Sequence, residues 1–488
     1  MKFSELFTIR DKEHRVERKK ENRAIAYITY AFVLIFVVLI VYLLWYTYFR
    51  GPEDINNSYN PRQDIYAARV VRGGILSRDG EVLACTEKHE NGDEERVYPY
   101  GPLFAHAVGF STHGKTGVEL NTNIRLLTSN RPVLERASNA LSGKKSAGDN
   151  VITTLDLGMQ KAAYDALASY KGAIVASDVK TGEILCMVSK PDFDPNTIDT
   201  DWERINADTG SGILLNRATQ GLYPPGSTFK IITTLEYLKE RGEDAYDYHF
   251  DCTGSFEYKG SIINCYHGRK HGEMDLISSF AKSCNSSFAN ISTTVDKGAF
   301  RKTCEELLFN KELPVQFSYR ESYVPLDASS STDELLQTAI GQGKTQITPL
   351  HMNMITQAIA NDGIMMSPYI IGGIVSDDGK PVRKYGAREY GRVASEKNCG
   401  ELKMLMEEVI KTGTGTRLSD TTGYTAAGKT GSAEYSSNKV MSHAWFTGYA
   451  PVDDPKVCVT VIAEEAGSGG EIAVPMARKV FDAYFNGR

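Results

Sequence analysis

The sequence predicts an α+β protein carried on a single N-terminal transmembrane helix. A small β-rich pedestal stands between that helix and a large domain of helices packed on an antiparallel sheet. Three observations carry this expectation. From Ala24 to Phe49 there are 26 residues without a charge, bounded by Arg23 and Arg50. Short strand-like pieces broken by turns then run over 65–146. Beyond the polar stretch 143–149 the order becomes strands first, helices in the middle and strands again, as in an α+β domain. The 488 residues suggest about three units at ~150 residues each. A chain 41% apolar and 24% charged is ordinarily globular, which excludes a disordered, collagenous or multi-span membrane chain.

At ~1.5 Å per residue, the apolar run exceeds a ~30 Å hydrocarbon core. It is too long for the apolar region of a cleaved leader, and Trp45, Tyr46, Tyr48 and Phe49 stand where cleavage needs small residues. We therefore expect an uncleaved anchor over 24–49, its late aromatics at headgroup depth. Residues 1–23 hold eight Lys/Arg and residues 50–70 hold three. The positive-inside rule then places the 1–23 tail in the cytoplasm and everything after the anchor outside the cytoplasmic membrane. Five acids leave the tail at net +3 and, within a chain total of −6, the remainder at −9. An acidic exterior region is a poor nucleic-acid binder.

Residues 50–64 are polar and read as a linker, the pedestal spanning 50–150 in all. It opens with Arg72-Gly73-Gly74-Ile75, a turn at Asp79-Gly80 and the strand-like 81–84. The second domain spans 151–488. It begins with a strand at 151–155 and a helix at 159–170. A hairpin at 173–179 and 184–188 turns about Lys180-Thr181-Gly182-Glu183. Helices follow at 229–241, 276–289 and 401–411, strands at 444–449 and 456–463, and a closing helix at 474–485. Eight cysteines stand at 85, 186, 252, 265, 284, 304, 399 and 458, with no C-x-x-C or zinc-ligand spacing, so neither metal nor cofactor is expected. Cys186 and Cys458 sit in strand-like runs and read as core. Cys252 and Cys265 flank a short Gly-containing hairpin; an outside location permits a disulfide there without requiring one, and both states stay open.

Three short motifs occur in order: Ser227-Thr228-Phe229-Lys230, Ser283-Cys284-Asn285 and Lys429-Thr430-Gly431-Ser432. They match the S-x-x-K, S-x-N and K-T-G elements of serine acyltransferases. Each alone is weak. S-x-x-K recurs at Ser142/Lys145, Ser177/Lys180, Ser279/Lys282 and Ser436/Lys439, and K-T-G at Lys115, Lys180 and Lys411. Context separates the copies. Tyr223-Pro224-Pro225-Gly226 is a stop-and-start signal before an apolar-periodic run, which puts Ser227 at a helix start and Lys230 one turn on, on the same face. A Ser hydroxyl is a weak nucleophile until a neighbour takes its proton. A Lys does so once burial and a nearby cation, here Lys429, bring its pKa from ~10.4 toward ~7–8. Lys180 falls in a hairpin turn and Lys411 ends a helix, whereas Lys429 lies where it can line a site from a sheet edge. Walker A spacing also occurs at 109–116 and 423–430, but the second has no apolar helical period after it and the first lies in the outside pedestal. A nucleotide site is therefore not expected.

The sequence resembles the class B penicillin-binding proteins, monofunctional peptidoglycan D,D-transpeptidases, from about Tyr59 onward. The resemblance rests on long strings: Asn216-Arg217-Ala218-Thr219-Gln220-Gly221-Leu222-Tyr223-Pro224-Pro225-Gly226-Ser227-Thr228-Phe229-Lys230, Gly341-Gln342-Gly343 with Thr348-Pro349-Leu350, Arg72-Gly73-Gly74-Ile75 with Arg78-Asp79-Gly80, and Gly117-Val118-Glu119. The chain departs from the commoner pattern at Cys284 and at Ser432, where Thr is more usual. Neither change removes a charged or amide group.

The resemblance implies a penicillin-binding/serine β-lactamase-like transpeptidase fold. It also implies roles. Ser227 attacks a stem-peptide donor and releases D-Ala, with Lys230 as base and Ser283 relaying protons. Asn285 orients Lys230 and the substrate amide. Lys429, Thr430, Gly431 and Ser432 bind the donor's terminal carboxylate. Backbone N–H groups of Ser227 and Ser432 form an oxyanion hole. An amine from a second stem peptide resolves the acyl-enzyme into the cross-link. β-Lactams acylate Ser227 as donor mimics, and His271 and His443 are structural. No glycan-polymerising domain fits in 50–150, so the family's usual partner, a SEDS-type membrane glycosyltransferase, is implied. A β-lactam sensor, an inactive scaffold and a hydrolase compete; the intact triplet opposes inactivity, and a 23-residue tail is too short for a signalling domain.

Overall fold

In a computed structural model of the chain, residues 25–46, 67–208, 210–434 and 441–487 are described. The tail expected at 1–23, the linker at 50–64, the outer ends of the anchor and the Ser436/Lys439 pair lie outside the described residues. The chain divides into two units, Met1–Ile65 and Tyr66–Arg488.

In the first unit, α1 (Ile25–Tyr46) is one continuous helix of 22 residues, exposed along its whole length. At ~1.5 Å per residue that is ~33 Å, long and apolar enough to cross a membrane. A helix satisfies every backbone group internally, which suits a run of β-branched and aromatic residues in a solvent without hydrogen bonds. Tyr42 meets Trp45 and Tyr46 at its C-terminal end, with ring centroids 6.1 and 6.2 Å apart.

The second unit holds two large sheets. The five-stranded one runs β13 (Ala427–Glu434), β14 (Ser442–Ala450), β15 (Val457–Ala463), β5 (Gly172–Asp178) and β6 (Ile184–Lys190), antiparallel throughout. The end of the chain thus pairs with the start of the domain, Val457 opposite Asp178. All residues of β14 and β15 are buried, so these strands show no alternation of buried and exposed positions. Ile174 and Ala176 pack with α2 (Leu157–Leu167) and α7 (Val474–Asn486) on one face. Ala173 and Val175 belong to the larger core on the other, which contains α6 (Pro349–Ala360). Every residue of α6 is buried, and most of its polar side chains are paired, although His351 Nδ1 has no partner among the described residues. Ser177 Oγ donates to Asn353 Oδ1 at 2.6 Å, and the Thr356 and Thr447 hydroxyls lie 2.7 Å apart.

The six-stranded sheet runs β12 (Pro381–Lys384), β11 (Ile371–Val375), β4 (Asn150–Thr153), β1 (Ile75–Leu76), β2 (Val82–Lys88) and β3 (Glu94–Val97). Its pedestal strands therefore share a sheet with a hairpin from more than two hundred residues later. Helices also occur in the pedestal segment, at Ala105–Val108, Gly117–Asn121, Asn123–Leu126 and Val133–Leu141. Two of the strings quoted above meet here. Arg72 Nε donates to Glu119 Oε2 and Arg96 Nε to Glu119 Oε1, both at 2.8 Å. Burial opposes the Glu119 charge, but Arg96 and Arg72 outweigh it and hold the carboxyl below its usual range.

One expected element is corrected. The helix expected over 276–289 is two, α4 (Leu276–Ala281) and α5 (Asn285–Ser292). Ser283 sits at φ +59°, a left-handed conformation that stops a helix, and Cys284 then caps the next, its sulfur accepting from Ser287 N at 3.4 Å.

Candidate active site

Three segments of the second unit supply the site. The first is the turn before α3 (Lys230–Arg241). The expected start at 229 is a 3-10 turn, Gly226–Phe229, so Ser227 lies in that turn and Lys230 opens the α-helix. The turn is fixed from behind. Gly226 has φ +52° and Gly341 φ +70°, and Gly226 N donates to Gly341 O at 2.8 Å. A Cβ on Gly341 would stand 2.1 Å from Gly226 O, which is why the Gly341-Gln342-Gly343 string needs glycine there. With its amide oriented to satisfy both groups, Gln342 pairs with the backbone N and O of Glu434 at 3.2 and 3.0 Å, the end of β13.

The upstream half of the long string is structural. Arg217 Nε and Tyr223 OH both donate to Glu464 Oε1 at 2.7 Å, and Trp445 Nε1 donates to Pro224 O at 3.1 Å. Glu464 went unremarked in the sequence because only the fold brings it beside Arg217.

The second segment is the break between α4 and α5. The third is β13, at the edge of the five-stranded sheet, which places Lys429, Thr430, Gly431 and Ser432 in one extended run. Gly431 packs so closely on the nucleophile turn that a Cβ there would meet Pro225 O at 3.1 Å and Thr228 Cγ2 at 3.2 Å.

The three segments meet at the Ser283 hydroxyl. Lys429 Nζ lies 2.8 Å from Ser283 Oγ and Lys230 Nζ 3.3 Å from it. Lys230 Nζ also donates to Ser283 O at 2.7 Å and to Asn285 Oδ1 at 2.8 Å. The Asn285 amide donates in turn to Asn264 O at 3.1 Å, which fixes which end of the amide faces the lysine. Lys429 Nζ donates to Thr430 O at 3.1 Å, and the Thr430 hydroxyl pairs with that of Thr414. Thr414, Asn264 and Gly341 were not picked out as site residues from sequence. Thr414 had one signal, the helix stop at Gly413, whose backbone packs against Ala281 O.

Both ammonium groups are fully buried, whereas Ser227, Ser283, Asn285 and Ser432 are half-buried. The hydroxyls and the amide thus line the accessible side with the two cations behind them. Burial brings the Lys230 ammonium down from 10.5 to about 8, against the opposing pull of the Cys284 and Cys265 sulfurs. Burial, and then the Lys230 charge, push Lys429 well below its ordinary value. Buried amines that give up their protons readily and a bridging hydroxyl, next to the tight turn that carries Ser227, can activate that serine and move its proton.

His443 and His271 lie outside this constellation of hydrogen bonds. His443 accepts from Glu465 N at 3.1 Å and stacks edge-on against Tyr223. The competing K-T-G copy at Lys180 occupies the β5–β6 turn. The Walker A spacing ending at Thr430 runs straight into β13 without a helix, as a phosphate loop would not.

Comparison with known proteins agrees. Residues 172–482 match the penicillin binding protein transpeptidase domain, and residues 72–151 the penicillin binding protein A dimerisation domain. The chain is 30% identical over 447 residues to peptidoglycan D,D-transpeptidase PbpA of Mycolicibacterium smegmatis, covering 84% of this chain and 88% of that one. It is 28% identical over 445 residues to peptidoglycan D,D-transpeptidase MrdA of Acinetobacter baumannii, covering 79% and 65%. Among solved structures, the imipenem acyl-enzyme complex of penicillin-binding protein A from M. tuberculosis superposes with a TM-score of 0.77 at 30% identity, over 86% of this chain and 99% of that one. The motifs, the sheet that carries them and these relatives lead to one conclusion: the chain belongs to the class B penicillin-binding proteins.

Proposed function

We propose that the protein cross-links peptidoglycan stem peptides as a serine D,D-transpeptidase and is acylated by β-lactams at Ser227. The observation that carries this is the convergence of two buried ammonium groups on the Ser283 hydroxyl, with Lys230 held by Asn285. In this reading neutral Lys230 takes the Ser227 proton as Oγ attacks the penultimate D-Ala carbonyl. An ester bond forms, the C–N bond to the terminal D-Ala breaks, and Ser283 passes the proton to the departing amine. Lys429, Thr430, Gly431 and Ser432 hold the donor carboxylate along the sheet edge. Backbone N–H groups of Ser227 and Ser432 stabilise the oxyanion, each donor contributing about 2.7–4 kcal/mol. A second stem-peptide amine then attacks the ester and releases the serine.

We further infer that α1 anchors the chain, with the 1–23 tail in the cytoplasm and the second unit outside, and that a SEDS-type glycosyltransferase supplies the glycan strands. The basic tail and the apolar run support the first point, and the family resemblance supports the second. Purified protein given a pentapeptide donor and an amine acceptor should yield cross-linked dimer with equimolar D-Ala. D-Ala release with no dimer at saturating acceptor would replace the transpeptidase with a carboxypeptidase.

A further inference from the structure

The pedestal helix Val133–Leu141 turns its apolar stripe away from the protein. Val133, Leu134, Ala137, Ala140 and Leu141 recur at the helical spacing that gathers side chains on one face, and all five are exposed. Val133 is 71% exposed, Leu134 86% and Leu141 91%, the highest values for large apolar residues among the described residues of the second unit. The next, Ile262 at 55%, stands alone on the hairpin of β8 (Ser255–Tyr258) and β9 (Ser261–Asn264), which the chain inserts between the paired strands β7 (Phe250–Cys252) and β10 (Gly272–Met274). One exposed apolar residue is ordinary, whereas a contiguous stripe marks a contact surface. The polar face of the helix is the one that meets the pedestal. Asn139, opposite the stripe, donates from Nδ2 to Ser146 Oγ at 3.4 Å. Glu135, on the same side, pairs with Arg131, whose Nη2 donates to Asp377 Oδ2 at 2.6 Å.

We propose that the Val133–Leu141 helix is a second membrane attachment, lying in the headgroup region of an anionic bilayer with its apolar stripe sunk among the lipids. The helix stands where the membrane tether joins the second unit. Described residues resume at Ala67, Ser146 N donates to Arg69 O at 3.1 Å, and Val70 and Val71 pair in parallel with Ser146 and Ala147, just past the end of the helix. With α1 in a bilayer, the chain from Tyr46 to Ala67 reaches at most ~75 Å fully extended, so the pedestal stays within that distance of the lipids. The charges also fit. Arg136 flanks the stripe, and Arg69 and Lys144 stand at its C-terminal end. All three are exposed and have no acidic partner among the described residues, although the chain beyond the 1–23 tail is acidic overall. Cations beside an apolar stripe are what an interfacial helix presents to anionic headgroups. The helix face measures only ~14 by ~10 Å. That is far below the ~800 Å² per partner of a stable protein interface, which favours lipid over a second copy of the chain.

The consequence is orientational. A single tether limits how far the second unit travels and leaves open how it faces the membrane. A second attachment removes that freedom. The pedestal strands β1, β2 and β3 share a sheet with β11 of the larger domain, so a pedestal seated on the bilayer holds that domain in one orientation with it. The proposal rests on the reading of α1 as an anchor and is independent of the transpeptidase chemistry. An outward stripe and a core-facing one have the same sequence pattern, and only the fold distinguishes them.

The test uses the full chain reconstituted into vesicles of phosphatidylcholine containing a quarter phosphatidylglycerol, with or without bromines on the acyl chains. Bromine quenches an indole that reaches the lipid. Wild type should be quenched at Trp45, and Trp45→Phe should abolish that quenching; an unquenched wild type overturns the anchor reading and the proposal with it. In the Trp45→Phe background, Leu134→Trp places an indole on the stripe, and Met404→Trp, on the exposed face of the Glu396–Lys411 helix, is the control. Leu134→Trp should emit at shorter wavelength than Met404→Trp and lose about half of its added fluorescence to the brominated chains, while Met404→Trp loses none. Both sites are exposed, so melting temperatures should match wild type. An unquenched Leu134→Trp with solvent-like emission overturns the attachment. A blue-shifted but unquenched one overturns it too, since the stripe is then covered by protein. Adding Leu141→Asp should abolish the quenching of Leu134→Trp; quenching that survives comes from the introduced indole alone and overturns the stripe. In pure phosphatidylcholine the quenching should weaken, and an equal effect in both lipids overturns the role of Arg69, Arg136 and Lys144.

Discussion

The pH dependence of acylation follows from the burial of Lys230. Its ammonium titrates at about 8 instead of 10.5 because burial penalises the charge. In the proposed role the reactive form is the neutral amine, so the rate should rise with pH and level off above the inflection. At pH 7 a group titrating at about 8 is ~9% neutral, against ~0.03% at 10.5, so the site multiplies the available base about 300-fold. Between pH 5.5 and 7.5 the second-order rate constant for a fluorescent penicillin should climb close to tenfold per pH unit, with an inflection near 8. Lys230→Arg keeps the positive charge but cannot lose a proton in this range, so acylation should fall by about 10²–10⁴-fold at every pH. Stopped-flow measurement of adduct formation checks both. An inflection near the ordinary lysine value, a flat profile, or an arginine variant within tenfold of wild type would refute Lys230 as the base.

Gly341→Ala introduces a Cβ 2.1 Å from Gly226 O at a φ of +70°, so the turn bearing Ser227 must move. Acylation should drop by about 10²-fold, while thermal unfolding reports a loss of only about 1–3 kcal/mol. Glu119→Gln leaves Arg72 and Arg96 without their buried counter-charge, so the second unit should lose about 3–5 kcal/mol in denaturant titration. An effect below 1 kcal/mol would mean that the pedestal network is solvated in solution.

Much of this was legible in the sequence because it was local. The β5–β6 hairpin shows in its apolar runs and Gly turn. The start of α3 shows in Pro224-Pro225-Gly226, and the last two strands and α7 in their patterning. The S-x-x-K geometry is local as well, since a helical turn alone brings Ser227 and Lys230 to one face. What stayed hidden depends on distant segments. The pedestal sheet recruits the β11–β12 hairpin, and the pairing of β11 with β4 carries no local signature. The break at Ser283 was missed because 276–289 is apolar at helical spacing on both sides of it. Only the packing of Ser283 between two lysines shows why the chain bends there. Glu464 and Thr414 acquire their roles solely through contacts across the fold.

The central claim is that Ser227 carries the acyl group. Protein incubated with penicillin G, digested and mapped by mass spectrometry should show one penicilloyl adduct, on the peptide containing Ser227, and Ser227→Ala should show none. An adduct on another residue, or one that persists in Ser227→Ala, would contradict the account.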